Sequence, residues 1–242
     1  MKNSESFYQA ALFDKNREIE RCDYNIPFLE AFLPGDKKAQ ILDAGCGNGK
    51  YAAYLAGKGY RNLVAVDLFD SIPWKEVSYR KASIEALPFD DHSFDVVYSN
   101  SVIYHLPRPE EGIAEFSRVL KPGGILIFSG HTRYSLHTLW RRLNLRLKTG
   151  SFENLRQATF YSTCQYLKIL RGHQFEILHT DGFRLGLFLY PYYRRKIKWF
   201  EIHWNIKFPL FRTRVSRIKF IGRMKAALAY HFVITGRKKA VQ

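Results

Sequence analysis

Cysteine is scarce in this 242-residue sequence, and long apolar runs are missing from it. The three cysteines, Cys22, Cys46 and Cys164, are odd in number and far apart, so they make neither a disulfide framework nor a Cys-x-x-Cys metal site. No apolar stretch approaches the roughly 20 residues that a membrane-spanning helix needs. The first residues lack the apolar core of a secretory signal. We therefore expect a cytoplasmic protein whose cysteines are reduced.

Acidic residues are rare in the last quarter of the chain. The whole sequence has 38 Lys and Arg against 22 Asp and Glu, a formal net charge of +16. Residues 1–180 hold 23 basic and 20 acidic side chains, whereas residues 181–242 hold 15 and 2. Such a basic segment can bind nucleic-acid phosphates, an anionic membrane surface or an acidic substrate, or it can serve solubility alone.

Ordinary proportions of hydrophobic (46%) and charged (25%) residues exclude wholesale disorder and fibrous structure. From Ala39 onward, short apolar runs alternate with helix-like stretches, which is typical of parallel βαβ units. Strands are predicted at Ala39–Ala44, Asn62–Val66, Ser93–Tyr98, Gly124–Ser129, Phe175–Thr180 and His231–Thr235. Helices are predicted at Lys50–Lys58, Pro109–Leu120 and Thr159–Arg171.

The length suits one α/β domain with additions, spanning residues 1–242. We divide it into an N-terminal helical cap, a ligand-binding core, a basic aromatic insertion, and a final strand with its tail, at residues 1–38, 39–182, 183–229 and 230–242. Within the insertion, Phe200–Phe208 has the period of a strand and Arg214–Leu228 suits a helix. We expect this insertion to fold over an edge or mouth of the sheet.

The strongest local signal is a predicted strand that runs into a glycine-rich turn, Ile41-Leu42-Asp43-Ala44-Gly45-Cys46-Gly47-Asn48-Gly49. Alternate glycines let the backbone turn tightly and approach a ligand closely. The third glycine comes one residue earlier than in the dinucleotide fingerprint, and Asp43 would repel a diphosphate but attract an ammonium or sulfonium group. The loop therefore favours a cationic nucleoside over a dinucleotide; the alternative is a purely structural turn.

Asp67 follows the next predicted strand, in the sequence AVDLFD. Because the carboxyl ends of neighbouring parallel strands face one crevice, Asp67 is expected beside the glycine loop, where its two oxygens can accept both ribose hydroxyls. The alternative role is a helix N-cap.

From about Gln40 to Phe128 the chain resembles the class I methyltransferases that use S-adenosylmethionine. The matching segments are LDAGCGNGKY, AVDLFD, SIEALPFDDHSFDVVYSNSVIYHL and LKPGGILIF, in the order and spacing of that family. The resemblance is closest to its small-molecule and quinone methyltransferases. It implies a three-layer, Rossmann-like α/β sandwich with a mostly parallel seven-stranded sheet and an antiparallel last strand, HFVITGRK.

The resemblance also implies the cofactor-binding residues. Asp43 and the loop glycines would line the methionine half of S-adenosylmethionine, and Asp67 would hold the ribose. Ser83 occupies a position where the subgroup usually has an Asp for the adenine amino group, and a hydroxyl accepts that bond more weakly. The full predicted set is Asp43, Gly45, Cys46, Gly47, Asn48, Gly49, Asp67, Leu68, Ser83, Ile84 and Asn100.

The acceptor side of the reaction is predicted after the strand that ends near Ser99, because this strand faces the methyl group in the resembling family. A sulfonium methyl is already activated, so the main requirement is in-line positioning without water. If the acceptor is a hydroxyl, His105 is the candidate base, with Tyr104 beside it and His131 nearby; the alternative is a histidine that only packs in a loop. The eight histidines show no zinc-ligand spacing with a cysteine, so no metal is expected.

The predicted function is methyl transfer to a small-molecule acceptor such as a lipid, quinone or glycan intermediate. One alternative is a tRNA or other RNA methyltransferase; another is a non-catalytic, cofactor-binding partner subunit. Residues 187–225 of the basic segment could contact an anionic membrane surface or RNA, or form a lid with solvated charges. A location at the membrane surface therefore stands beside the cytoplasmic one.

Overall fold

The structure, a computed structural model, describes residues 25–135, 138–139, 159–183, 219–229 and 231–240. The described residues form one seven-stranded sheet. Its strands are β1 (Gln40–Ala44), β2 (Asn62–Asp67), β3 (Ser78–Lys81), β4 (Phe94–Asn100), β5 (Leu120–His131), β6 (Phe175–Phe183) and β7 (His231–Lys238).

The sheet has the strand order β3-β2-β1-β4-β5-β7-β6. The pairs from β3 to β5 are parallel, with Leu42 opposite Val64 on one side and Val97 on the other. Strand β7 runs antiparallel to both β5 and β6. The predicted mostly parallel sheet with an antiparallel last strand is therefore confirmed. The carboxyl ends of β1, β2, β4 and β5 lie at one edge, where ligands bind in open α/β sheets.

Helices cover both faces of the sheet. They are α1 (Ile26–Phe32), α2 (Lys50–Gly57), α3 (Pro109–Val119), α4 (Thr163–Gly172) and α5 (Lys219–Leu228), with a 3-10 turn at Ile103–His105. One core cluster joins α1 and α2 to the sheet, and a second joins α3, α4 and α5 to its other face. The result is the three-layer sandwich that the resemblance implied.

The boundaries of the predicted elements differ most around β5. Helix α3 ends at Val119, and Leu120 already pairs with Phe94, so the strand begins four residues before the predicted Gly124. Strand β3 was missed because its sequence, SYRK, is short, polar and mostly exposed at the sheet edge. A pattern of buried apolar residues is the main signal for a strand, and β3 lacks it.

Much of the predicted basic aromatic insertion lies outside the described residues, including the possible strand at Phe200–Phe208. The same holds for residues 1–24 of the predicted helical cap; α1 is its described part. The predicted helix at Arg214–Leu228 agrees with α5 where the structure describes it. Across the described residues, no helix combines the length and apolar character needed to span a bilayer.

Candidate functional site

The glycine loop between β1 and α2 turns through a left-handed backbone conformation at three positions. Gly45, Gly47 and Gly49 have φ of 76°, 57° and 74°. Residues with a Cβ rarely adopt these backbone angles. Gly49 is the N-cap of α2. A Cβ added to Gly45 would overlap the methyl groups of Val102, so the loop packs directly on the segment that follows β4. Both the backbone angle and this contact therefore require glycine at Gly45.

The loop is tied to the end of β2 by main-chain hydrogen bonds. The N–H groups of Gly45 and Cys46 both donate to the carbonyl oxygen of Val66, at 2.8 and 2.9 Å. The N–H of Gly47 donates to Oδ2 of Asp67 at 2.7 Å. The structure thus brings the glycine loop and Asp67 together, as the strand order predicted.

Asp67 has hydrogen-bonding capacity left for a ligand. Its Oδ1 accepts from the N–H of Leu68 at 2.7 Å, while Oδ2 accepts from Gly47. An ionised carboxylate offers about four acceptor sites, so each oxygen can take a further donor. Leu68 follows and is 67% exposed, so it presents an apolar surface directly beside this carboxylate. A ribose with an attached aromatic base would match these two features, since its hydroxyls can donate to the carboxylate and its base can pack on the apolar surface.

Asp43 lies at the carboxyl end of β1 and is only 3% exposed. Burial raises the pKa of its carboxyl to about 7; the charge of Asp67 also raises it, while the Ala52 N–H and Lys50 act in the opposite direction. Its Oδ2 has no hydrogen-bond partner among the described residues. A cationic ligand group would favour the ionised form of this carboxylate. The residues present therefore fit S-adenosylmethionine, which carries an ammonium and a sulfonium group.

The other predicted loop residues have structural contacts. The carbonyl oxygen of Asn48 accepts from Nε1 of Trp74 at 2.7 Å, and its side chain accepts from the N–H of Lys50. Cys46 is buried, and this burial, with Asp43 and Asp67 nearby, raises the pKa of its thiol. Cys46 therefore stays a neutral thiol, which is a poor nucleophile. Sequence reasoning missed Trp74, which lies outside every motif and next to Gly49.

Ser83 and Ile84 follow β3, close to the end of β2. The N–H of the preceding residue, Ala82, donates to the carbonyl oxygen of Asp67 at 2.9 Å. Ser83 Oγ accepts from the N–H of Glu85 and lies 3.3 Å from its Oε2. The Ile84 side chain is buried in the core, so its main chain is the part available to a ligand.

Asn100 ends β4, and its amide takes part in a hydrogen-bond network. Its Nδ2 donates to the hydroxyl of Tyr51 at 3.1 Å, and its Oδ1 accepts from the hydroxyls of Ser101 and Ser129. Tyr51 was not among the predicted site residues, although it ends the quoted motif LDAGCGNGKY. The network belongs to the same sheet edge as the glycine loop.

Aromatic and histidine rings gather beyond the ends of β4 and β5. Tyr104 is buried, and its ring centroid lies 4.4 Å from that of His105 and 4.6 Å from that of His131. Phe160 stacks on Tyr104 at 5.5 Å. His131 pairs across the strands with His231, with ring centroids 4.2 Å apart. His105 is exposed, so an acceptor can reach its imidazole, while Tyr104 offers mainly its packed ring.

Within the ranges that the structure describes, no three His, Cys, Asp or Glu side chains come together as metal ligands would.

Comparison with known proteins identifies the class of domain. Residues 42–128 match the model of a family described as "Methyltransferase domain". This match covers β1 to β5, including the glycine loop and Asp67. Over these residues the chain is similar to that family, in agreement with the resemblance of its sequence to S-adenosylmethionine-dependent methyltransferases.

Curated relatives differ in what their names say they methylate. The chain is 30% identical over 165 residues to a malonyl-[acyl-carrier protein] O-methyltransferase of Pectobacterium atrosepticum, covering 64% of this chain and 63% of that protein. It is 36% identical over 106 residues to the 24-methylenesterol C-methyltransferase 2 of Arabidopsis thaliana, covering 39% and 28%. The chain thus spans about three fifths of the length of the first relatives it matches.

A solved structure also resembles this one in fold. A protein of Thermotoga maritima, described as an S-adenosylmethionine-dependent methyltransferase and possible histamine N-methyltransferase, superposes with a TM-score of 0.62. The two are 20% identical, and the match covers 99% of this chain and 96% of the other. At this identity the likeness establishes the fold alone.

Proposed function

We propose that the protein transfers the methyl group of S-adenosylmethionine to a small-molecule acceptor. The observation that carries the proposal is the pair of carboxylates at the glycine loop: buried Asp43, whose Oδ2 lacks a partner among the described residues, and Asp67, joined to the loop through Gly47. Two adjacent carboxylates disfavour a diphosphate and favour a positively charged nucleoside.

In this proposal, Asp43 and the loop main chain hold the amino-acid part of the cofactor. Asp67 accepts the ribose hydroxyls, Leu68 covers the adenine face, and the Ser83–Ile84 main chain contacts the adenine edge. The cofactor supplies a methyl group on a positively charged sulfur, which is a strong electrophile. The residues of this chain orient the acceptor in line with that methyl group and exclude water from it.

We place the acceptor against Tyr104, His105 and His131, since these rings lie beyond β4 and β5, next to the strands that carry the loop. For a hydroxyl acceptor, His105 accepts the proton as the methyl is transferred. For a carboxylate, as the names of the malonyl relatives suggest, the oxygen is already ionised, so no base is needed. Asn100 fixes the geometry of this edge through its amide.

The test uses labelled S-adenosylmethionine with the purified full chain and three acceptor fractions: small molecules including acyl-carrier conjugates, lipids, and RNA. We expect label in the small-molecule or lipid fraction, and binding of S-adenosylmethionine by calorimetry. Label in RNA alone would replace the proposal by its RNA alternative. Cofactor binding without label in any fraction would favour a non-catalytic partner subunit, and binding of a nicotinamide dinucleotide instead would reject the proposal.

A contact with an anionic membrane surface is a second part of the proposal. Residues 219–225 of helix α5 are the described part of the predicted contact region 187–225. Phe220 is 76% exposed there, next to the exposed cations Lys219 and Arg223. Apolar and basic groups on one surface suit a lipid interface. Sedimentation with vesicles containing phosphatidylserine should decrease in Phe220→Ser at low salt. Equal sedimentation of both proteins, or none of either, would contradict this role.

A further inference from the structure

Three elements of the fold meet at the hydroxyl of Tyr51, which lies behind the glycine loop. Tyr51 is in the first turn of α2 and is 5% exposed. Its oxygen accepts one hydrogen bond from Nδ2 of Asn25, at the start of α1, and one from Nδ2 of Asn100, each at 3.1 Å. The ring packs edge-on against Tyr98 of β4, and Lys50 Nζ lies 4.6 Å from its centroid. The side chain therefore links α1, α2 and β4.

The side-chain amide of Asn100 connects Tyr51 to β5 through hydrogen bonds. Its oxygen accepts from the Ser129 and Ser101 hydroxyls, and the Ser101 N–H donates to the Ser129 carbonyl oxygen at 2.9 Å. Both ends of the amide are thus engaged, the nitrogen by Tyr51 and the oxygen by serines of two chain segments. Loss of the Tyr51 oxygen would leave the part-buried Nδ2 of Asn100 without this acceptor and weaken the contacts that fix the amide.

Residues 101–105, the segment after Asn100, include a strained backbone position that surrounding contacts must stabilise. Ser101 has φ of 61°, a left-handed conformation that is costly for a residue with a Cβ. The same segment places Val102 against Gly45 and carries Tyr104 and His105. An outlier of this kind persists only where surrounding contacts enforce it. The Tyr51–Asn100–Ser129 network supplies contacts at the residue where the segment begins.

We propose that Tyr51 is a positioning residue, which through Asn100 holds residues 101–105 in the geometry that methyl transfer requires. This inference rests on the proposed function, because those residues face the acceptor in that proposal. Tyr51 lies on α2, which follows the glycine loop on the cofactor side, whereas the segment it positions, residues 101–105, lies on the acceptor side. Its removal is therefore expected to impair turnover more than cofactor binding.

The experiment compares Tyr51→Phe with Tyr60→Phe in the full chain. Each change removes one phenol oxygen and keeps the ring. Tyr60 is a matched control because it is 6% exposed and its hydroxyl donates a single hydrogen bond, to the carbonyl oxygen of Pro34, away from the glycine loop. Three quantities are measured: S-adenosylmethionine affinity by calorimetry, amide hydrogen exchange of residues 101–105, and kcat and KM with the acceptor fraction that takes label.

In Tyr51→Phe, we expect amide exchange of residues 101–105 to accelerate roughly tenfold and kcat to fall roughly tenfold, while the cofactor affinity changes less than about threefold. Tyr60→Phe should lose stability without either effect. Exchange and kcat in Tyr51→Phe that equal those of Tyr60→Phe would overturn the inference. Failure of the wild-type protein to bind S-adenosylmethionine would instead reject the proposed function, and the exchange comparison would still decide whether the network fixes the segment.

Discussion

The two sides of the carboxyl edge of the sheet differ in chemistry. At the ends of β1 and β2, the described groups are main-chain amides, glycines and the carboxylates Asp43 and Asp67. At the ends of β4 and β5 they are the amide of Asn100 and the rings of Tyr104 and His131. A carboxylate-rich side suits one cationic cofactor, whereas an aromatic and imidazole side can accommodate varied acceptors. The difference explains why cofactor class is easier to infer than substrate.

The largest effect is expected from Gly45→Ala, which tests how tightly the two sides pack together. The new Cβ would overlap the methyl groups of Val102, and alanine is unfavourable at the positive φ of this position. We therefore expect a loss of about 3 kcal/mol in the free energy of unfolding. Urea denaturation measures it. Gly59→Ala is the control, because Gly59 also has a positive φ, 88°, but nothing within 4 Å. Its loss should be about 1 kcal/mol; equal losses would mean that the Val102 contact is unimportant.

Asp67→Ala tests the carboxylate side directly. Removing two charge-assisted acceptors should weaken S-adenosylmethionine binding about a hundredfold in calorimetry, while the circular dichroism spectrum stays the same. Asp70→Ala removes a nearby carboxylate that is exposed and paired with Lys81, and it should leave the affinity unchanged. An Asp67→Ala protein that binds as tightly as the wild type would show that our ribose assignment is wrong.

If Asp43 binds the cofactor as proposed, its carboxyl should make S-adenosylmethionine affinity depend on pH. Its pKa of about 7 lies above the ordinary value of 3.8, so the folded protein holds a proton that the unfolded chain has lost, and stability falls as pH rises from about 4 to 7. A cation prefers the ionised form, so S-adenosylmethionine affinity should rise about tenfold from pH 5.5 to 7.

Asp43→Asn provides the control for this pH dependence. The variant should bind S-adenosylmethionine weakly, with an affinity that is flat across the same pH range. Without cofactor it should melt at a higher temperature than the wild type at pH 8, because it buries no charge. A wild-type affinity that does not change between pH 5.5 and 7 would contradict the role of Asp43.

The smallest effect is expected at the adenine edge. Ser83→Asp restores the carboxylate usual in the resembling subgroup, and a charge-assisted bond should raise S-adenosylmethionine affinity about threefold. The nearby Glu85 limits the gain through repulsion. Ser78→Asp adds the same charge at an exposed position of β3 and should change nothing. A decrease in affinity for Ser83→Asp would place the adenine elsewhere.

The sequence predicted the cofactor side of the edge better than the acceptor side, for physical reasons. Positive φ at three loop positions requires glycine, so the loop is visible as a residue pattern, and Asp67 follows from strand order. Contacts between distant segments leave no such pattern. The stacking of Tyr104 on Phe160, and the convergence of Asn25 and Asn100 on Tyr51, depend on tertiary packing. Strand β3 was missed because an exposed edge strand needs no apolar alternation.

The position of β7 also constrains how the protein is made. Residues 231–238 lie between β5 and β6 in the sheet, although they come last of the three in the chain. During translation, residues 175–183 leave the ribosome before β7, the strand with which they pair. The main-chain N–H and C=O groups of β6 therefore stay unpaired until β7 has been synthesised. A nascent chain halted before residue 231 would leave β5 with an open edge and β6 detached. Premature termination there would yield an aggregation-prone fragment that still contains the whole glycine loop.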